Sequence, residues 1–292
     1  MRVENGQGRI ATDDLARRVL ACPRCHRAAP AFTTDQIDCP ACGWRGKIRN
    51  GVVSTLADTG TARFETLHES IEAQNSHPVV WRWFYEEQCR AFAAALRPRR
   101  AVQDLGSSPT APYAKPAGAV VVGVDLSLVS LADNKHIDLA LHATAALLLA
   151  DRSIDAALAI YVFHHMVGES VAATRANIEA AFAELGRVVK PGGEVLVFEM
   201  CAWRGAWISE RLGWTAARDT IGKFIDFPFW PPQVYEALGR RAFGDAALQR
   251  VIYCLEWSAW FTPVIGMPRL EWPRFAYPLD VCLFRWQLKN DA

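Results

Sequence analysis

The stretch from Ala101 to Ser127, AVQDLGSSPTAPYAKPAGAVVVGVDLS, constrains the fold more than any other part of this 292-residue chain. Val102 to Leu105 reads as a short strand running into Asp104-Leu105-Gly106. Val120 to Val124 is an apolar, largely β-branched run that ends on Asp125, as a buried strand would. Between them the spacing predicts a sharp turn and a short helix. Small residues at Gly106, Ser107 and Ser108 let the backbone approach a ligand closely. An acidic residue closing a second strand, about twenty positions after the first, suits a pair of ribose hydroxyls.

A second block, Leu185 to Val197 (LGRVVKPGGEVLV), reads as the end of a helix, a Lys-Pro-Gly-Gly turn and a strand. With these two blocks and the run from Asp155 to His165 between them, the chain resembles the class I S-adenosylmethionine-dependent methyltransferases over about residues 60 to 290. The family's first motif is roughly acidic-x-Gly-x-Gly-x-Gly. This chain has Asp104-x-Gly106-x-Ser108-x-Thr110, keeping one glycine of the three. The resemblance implies an α/β fold: a doubly wound, mostly parallel seven-stranded sheet of Rossmann-like kind. It implies S-adenosylmethionine bound across Asp104, Gly106, Ser107 and Ser108, with Asp125 and Leu126 at the adenosyl end. The family often places an acid after the third strand, for the adenine amino group. His142 or Ala143 stands there instead, and His142 is the candidate contact.

Lys plus Arg number 32 and Asp plus Glu 31, a net charge of +1, which leaves no basic footprint for nucleic acid or an anionic membrane. The apolar runs are too short for a membrane span, and the acidic N-terminus lacks the apolar stretch of a secretory signal. The eight cysteines fall into two pairs plus Cys89, Cys201, Cys254 and Cys282, a usage that suits a reducing, cytoplasmic setting.

The two pairs lie in Cys22-Pro23-Arg24-Cys25 and Cys39-Pro40-Ala41-Cys42-Gly43. Each Cys-Pro-x-Cys is a knuckle with two thiolates on one side. Two knuckles make a tetrahedral, four-sulfur zinc site with no open position, so the expected role of Cys22, Cys25, Cys39 and Cys42 is structural. Residues 1–58 are expected to form this zinc-ribbon module. Its last stretch, Lys47 to Val53, resembles the hairpin ending of small zinc-ribbon activators that partner methyltransferases. A ribbon ahead of the catalytic domain also occurs in ribosomal RNA guanine methyltransferases.

Residues 59–97 follow with helical periodicity, Trp81, Phe84, Tyr85, Phe92 and Leu96 recurring at three- and four-residue steps. In the family, helices here form a lid over the cofactor, and an aromatic lid could face the sulfonium cation. Residues 98–292 are assigned to the cofactor-binding domain. Its expected elements are a helix from Leu128 to Asn134, strands from His136 to Leu141 and Asp155 to Phe163, a helix from Ala172 to Val189, and a strand from Glu194 to Met200. Gln249 to Trp257 and Val281 to Leu288 would be the last two strands. The fourth strand ends in Tyr161-Val162-Phe163-His164-His165, where open α/β sheets bind ligands. His164, His165 and Tyr161 are therefore the candidate catalytic residues, and Tyr161 also a cofactor contact. Residues 201–247 carry Trp203, Trp207, Trp214, Phe224, Phe227, Phe229 and Trp230, with Pro231-Pro232 opening a short helix. This aromatic insertion suits a pocket wall or the hydrophobic face of a homodimer.

The expected chemistry is in-line methyl transfer to a small organic acceptor of specialised metabolism, a histidine taking the acceptor's proton. Three alternatives remain at this point: RNA methylation, a non-catalytic partner protein, and cyclisation of S-adenosylmethionine with release of 5′-methylthioadenosine.

Overall fold

The computed structural model describes residues 18–26, 30–33, 35–56, 90, 92–93, 95–96, 100–143, 148–202, 229–253, 261–264, 267–273 and 279–290. The N-terminal strands are β1 (Ala31–Phe32), β2 (Gln36–Asp38), β3 (Arg45–Arg49) and β4 (Val52–Ser54). Next come β5 (Ala101–Leu105), β6 (Val120–Asp125), α1 (Leu128–Asp133), β7 (Leu139–His142) and β8 (Ile154–Ile160). A 3-10 turn at Phe163–His165 leads to α2 (Val171–Val188), β9 (Val189–Ala202) and α3 (Pro232–Phe243). The chain closes with β10 (Ala247–Tyr253), β11 (Phe261–Val264), β12 (Met267–Pro273) and β13 (Leu279–Gln287).

Eleven strands form one sheet, in the order β1-β2-β3-β4-β7-β6-β5-β8-β9-β13-β10, while β11 and β12 make a separate hairpin. The seven strands from β7 to β10 are the expected core. β7, β6, β5, β8 and β9 run parallel, and β13 and β10 are antiparallel at the far edge. The addition is on the near edge. β4 pairs in parallel with β7, Val52 to Ala140, Val53 to Leu141 and Ser54 to His142, so the N-terminal strands, which flank the second cysteine knuckle, continue the same sheet. Val52 packs with the buried cluster on one face and Val53 with that on the other. Such two-sided burial is what a parallel strand in mid-sheet requires.

The helix expected between β5 and β6 does not form. That connection contains Pro109, Pro112 and Pro116 and follows no regular path. Each proline removes a backbone donor and disfavours helical geometry in the residue before it. The fourth strand stops at Ile160 rather than Phe163, because the chain turns there into the 3-10 turn. The fifth begins at Val189, directly on the end of α2, with a register shift against β8 at Ile154/Ala156 that absorbs the Lys-Pro-Gly-Gly segment.

α2 and α3 cover one face over an aromatic core. Phe163 lies 4.9 Å from Phe182, Tyr235 5.5 Å from Phe284, and Phe284 stacks on Trp286 at 5.6 Å. Full burial of one such side chain stabilises by about 1.5–3 kcal/mol. On the opposite face Phe92, Leu96, Tyr113, Leu131 and Ile137 are buried. The aromatic residues expected at 81–85 and 203–227, and with them most of the lid and the insertion, lie outside the described residues. Among the described residues no helix is long and apolar enough to cross a membrane.

Candidate active site and metal centre

The carboxyl ends of β5, β6, β8 and β9 converge on one edge of the sheet, bringing together most of the residues singled out above. At β5, Gly106 has φ +71, and a Cβ there would lie 2.2 Å from Val162 Cγ2, so the turn tolerates only glycine. The Ser107 hydroxyl donates to Asp104 at 3.4 Å and accepts from Asn134 Nδ2 at 3.1 Å. Asn134 Nδ2 also donates to the Ser108 carbonyl at 2.6 Å. A side chain just past α1 thus fixes the loop that lacks two of the motif's glycines.

Asp104 is buried, and the Tyr113 hydroxyl donates to it at 2.7 Å. Burial raises its carboxyl from 3.8 to about 6, against the lowering effect of the Tyr113 and Ser107 hydroxyls. A carboxyl whose pKa is raised by folding contributes stability that is present below pH 3.8 and lost as pH rises through about 6. The difference amounts to roughly 3 kcal/mol. Asp104→Asn should therefore stabilise the fold at pH 7.5 relative to wild type and lose most of that advantage at pH 4, as urea unfolding at the two values would report. An equal effect at both would show that burial does not raise the Asp104 carboxyl.

Asp125, closing β6, accepts from the Ser127 N–H at 2.7 Å; Ser127 in turn caps α1 by accepting from the Ser130 N–H at 3.0 Å. His142, the candidate adenine contact, ends β7 and bonds through both ring nitrogens. Its Nε2 donates to the Leu126 carbonyl at 3.1 Å, and its Nδ1 lies 2.8 Å from the Ser54 hydroxyl on β4.

Beyond β8, Tyr161 adopts φ +55, a strained left-handed conformation for an aromatic residue. Its ring meets Phe198 edge-on at 5.6 Å. His164 is buried, with Nδ1 2.6 Å from Glu199 Oε1 on β9. Glu199 also accepts from the N–H groups of Phe163 at 2.9 Å and Met200 at 3.0 Å. The Glu199 carboxylate, with three donors around it, fixes the imidazole: its oxygen accepts from Nδ1, so that in the neutral ring Nε2 carries the lone pair. The His165 ring lies 4.0 Å from that of His164, and Phe229 5.6 Å from it. Glu199 was not among the sequence candidates. Its one signal was a charge inside the apolar run Val195-Leu196-Val197-Phe198, where only a paired carboxylate survives burial.

At the other end of the sheet the four cysteine sulfurs lie within 4.8 Å of one another, Cys22 and Cys42 at 3.6 Å and Cys25 and Cys39 at 3.6 Å. A tetrahedron with Zn–S bonds of about 2.3 Å has edges of about 3.8 Å, so the four could hold zinc with little adjustment. The knuckles repeat each other. The N–H groups of His26 and Gly43, both at positive φ, donate back to the carbonyls of Cys22 and Cys39 at 2.9 and 3.0 Å.

Residues 104–197 match the family model described as a methyltransferase domain. No curated protein matches the chain in sequence. Among solved structures, a chain from the complex between the Haloferax volcanii Trm112 methyltransferase activator and a methyltransferase is similar, with 16% identity and a TM-score of 0.51 over 81% of this chain and 100% of that one. An S-adenosylmethionine-dependent methyltransferase of Thermotoga maritima shares 19% identity at a TM-score of 0.50, over 77% of this chain and 98% of its own. The Haemonchus contortus phosphoethanolamine N-methyltransferase 2 bound to phosphomonomethylethanolamine and S-adenosylhomocysteine shares 12% at 0.50, over 78% and 58%. These identities speak for the fold, and the matched model covers the strands that build the site. Residues 104–197 of the chain thus match a methyltransferase domain, and the chain around them has the fold of the methyltransferase structures it resembles.

Proposed function

We propose that the protein transfers a methyl group to a small organic acceptor whose nucleophilic atom gives up a proton to His164. The observation that carries this reading is the buried His164–Glu199 pair, 2.6 Å apart at the carboxyl end of the parallel strands. S-adenosylmethionine, when bound, supplies a methyl group activated by its sulfonium and leaves as S-adenosylhomocysteine. The chain's own part is to bind, align and accept the proton. Gly106 and Ser107 bring backbone close to the cofactor, Asp125 receives the ribose hydroxyls, and Tyr161 lines the approach to the methyl group. His164 Nε2 takes the acceptor's proton, and Glu199 stabilises the imidazolium that results. The four cysteines hold zinc, which supplies no chemistry and folds the ribbon. The Haloferax relative comes from a complex with a separate activator, whereas here β4 of the same chain occupies the edge of β7. The ribbon is read accordingly as a built-in partner.

The test is incubation of purified protein with S-adenosylmethionine, with and without a metabolite extract, followed by resolution of the nucleosides. S-adenosylhomocysteine formed only with the extract is the expected result. Enzyme-dependent 5′-methylthioadenosine from the cofactor alone would replace methyl transfer by cyclisation, and turnover with RNA but not the extract would replace the acceptor class. Asp125→Ala should weaken S-adenosylhomocysteine binding about tenfold or more, since a hydrogen bond to a charged group contributes roughly 1.5–3 kcal/mol. Unchanged affinity in a calorimetric titration would remove Asp125 from the site.

A further inference from the structure

Ser54 and His142 form a polar contact where the neighbouring residues supply none. The rest of β4 is Val52 and Val53, and the rest of β7 is Leu139, Ala140 and Leu141, all buried. An apolar pair at the Ser54–His142 register position would close the sheet equally well, at no cost in buried polar groups. The polar pair makes a directed connection instead. A carbonyl only accepts, so the Leu126 oxygen at 3.1 Å requires the hydrogen on His142 Nε2. In the neutral ring, Nδ1 then accepts from the Ser54 hydroxyl at 2.8 Å, a shorter contact than the 3.3 Å to the Leu56 carbonyl, the other acceptor within that hydroxyl's reach. Backbone bonds hold both ends. The Thr55 N–H donates to the His142 carbonyl at 3.0 Å, and the Ala143 N–H to the Asp125 carbonyl at 3.3 Å. The segment from Asp125 to Leu126, at the carboxyl end of β6, is therefore gripped from β4, the last strand of the N-terminal module.

We propose that Ser54 is a positioning residue for the adenosyl end of the cofactor, acting through His142 on the Leu126 carbonyl. The inference rests on the cofactor reading above and adds that cofactor affinity is set partly from the N-terminal strands. Threonine keeps the hydroxyl at position 54, and valine has nearly the same shape without it, so the two substitutions separate the hydroxyl from strand packing.

The experiment is calorimetric titration of the full-length, zinc-loaded protein with S-adenosylhomocysteine and with adenosine, for wild type, Ser54→Thr and Ser54→Val. Ser54→Thr should bind both ligands within about twofold of wild type. Ser54→Val should bind both about five- to tenfold more weakly, the loss expected for one hydrogen bond. Equal affinities of the two variants would overturn the proposal. So would a loss confined to S-adenosylhomocysteine, which would put the defect at the amino-acid end. A wild-type protein that binds neither ligand overturns the cofactor reading itself, and the relay with it. Should the β-branched variants fail to fold, Ser54→Ala against wild type makes the same comparison, with the same fall in affinity expected for both ligands and unchanged affinity overturning the proposal.

Discussion

His164→Gln is expected to lower the rate of S-adenosylhomocysteine formation by about 10²–10⁴-fold, the usual contribution of a positioned general base. Glutamine is chosen over alanine because its amide can still donate toward Glu199. Glu199 is fully buried, and removing the imidazole outright would take away one of its three donors at a cost of about 1–3 kcal/mol. Glu199→Gln tests the pair from the other side. The N–H groups of Phe163 and Met200 already point at that side chain. An amide there can satisfy only some of these donors, and its NH₂ favours the imidazole tautomer with Nδ1 accepting. Nε2 would then present a hydrogen to the acceptor instead of a lone pair, and the rate should fall with cofactor affinity little changed. Initial rates, together with S-adenosylhomocysteine titrations of the same preparations, would show both. A His164→Gln variant that turns over at the wild-type rate would reduce the pair to a structural contact and return the choice of base to His165 or Tyr161.

Removing the metal should have the larger effect on structure. β1, β2 and β3 span two, three and five residues, too short to hold a sheet by themselves. Four-cysteine zinc sites supply on the order of 10 kcal/mol of binding free energy, most of which is folding free energy for the module around them. A chelator, or Cys39→Ser, is expected to melt the ribbon, release Val52–Ser54 and leave the edge of β7 open to pairing with other chains. Purified protein should contain about one zinc per chain. Its loss should abolish amide-exchange protection at Ile37, Ile48 and Val53 and bring on aggregation. Retained protection at those three amides in metal-free protein would show that the ribbon folds without metal.

How much of this was legible in the chain depended on sequence distance. The cysteine knuckles, Gly106 and the acids at the ends of β5 and β6 belong to short local patterns, which place them on their strands and turns without reference to distant residues. The Ser54–His142 contact joins residues 88 positions apart. Nothing local to either marks it, since a serine ending a strand and a histidine ending another are ordinary on their own. The same distance hid the pairing of β4 with β7. Glu199 was obscured differently, because a strand buried on both faces reads as an apolar block and a single acid in it looks like noise until its donors are seen. The helix expected between β5 and β6 was carried over from the fold's usual form against the three prolines that stand there.

The pairing of Ser54 with His142 also sets an order of events during synthesis. At about 5–20 residues per second, some 4–18 seconds pass between the appearance of one partner and of the other. For that interval the nascent ribbon has no β7 to lie against, and Val52 and Val53 have no covering strands. If the four cysteines take up zinc as proposed, their site is complete once Cys42 has emerged and can hold the hairpin in shape until its acceptor strand arrives. On that proposal a shortage of zinc would be felt on the ribosome, before any cofactor site exists.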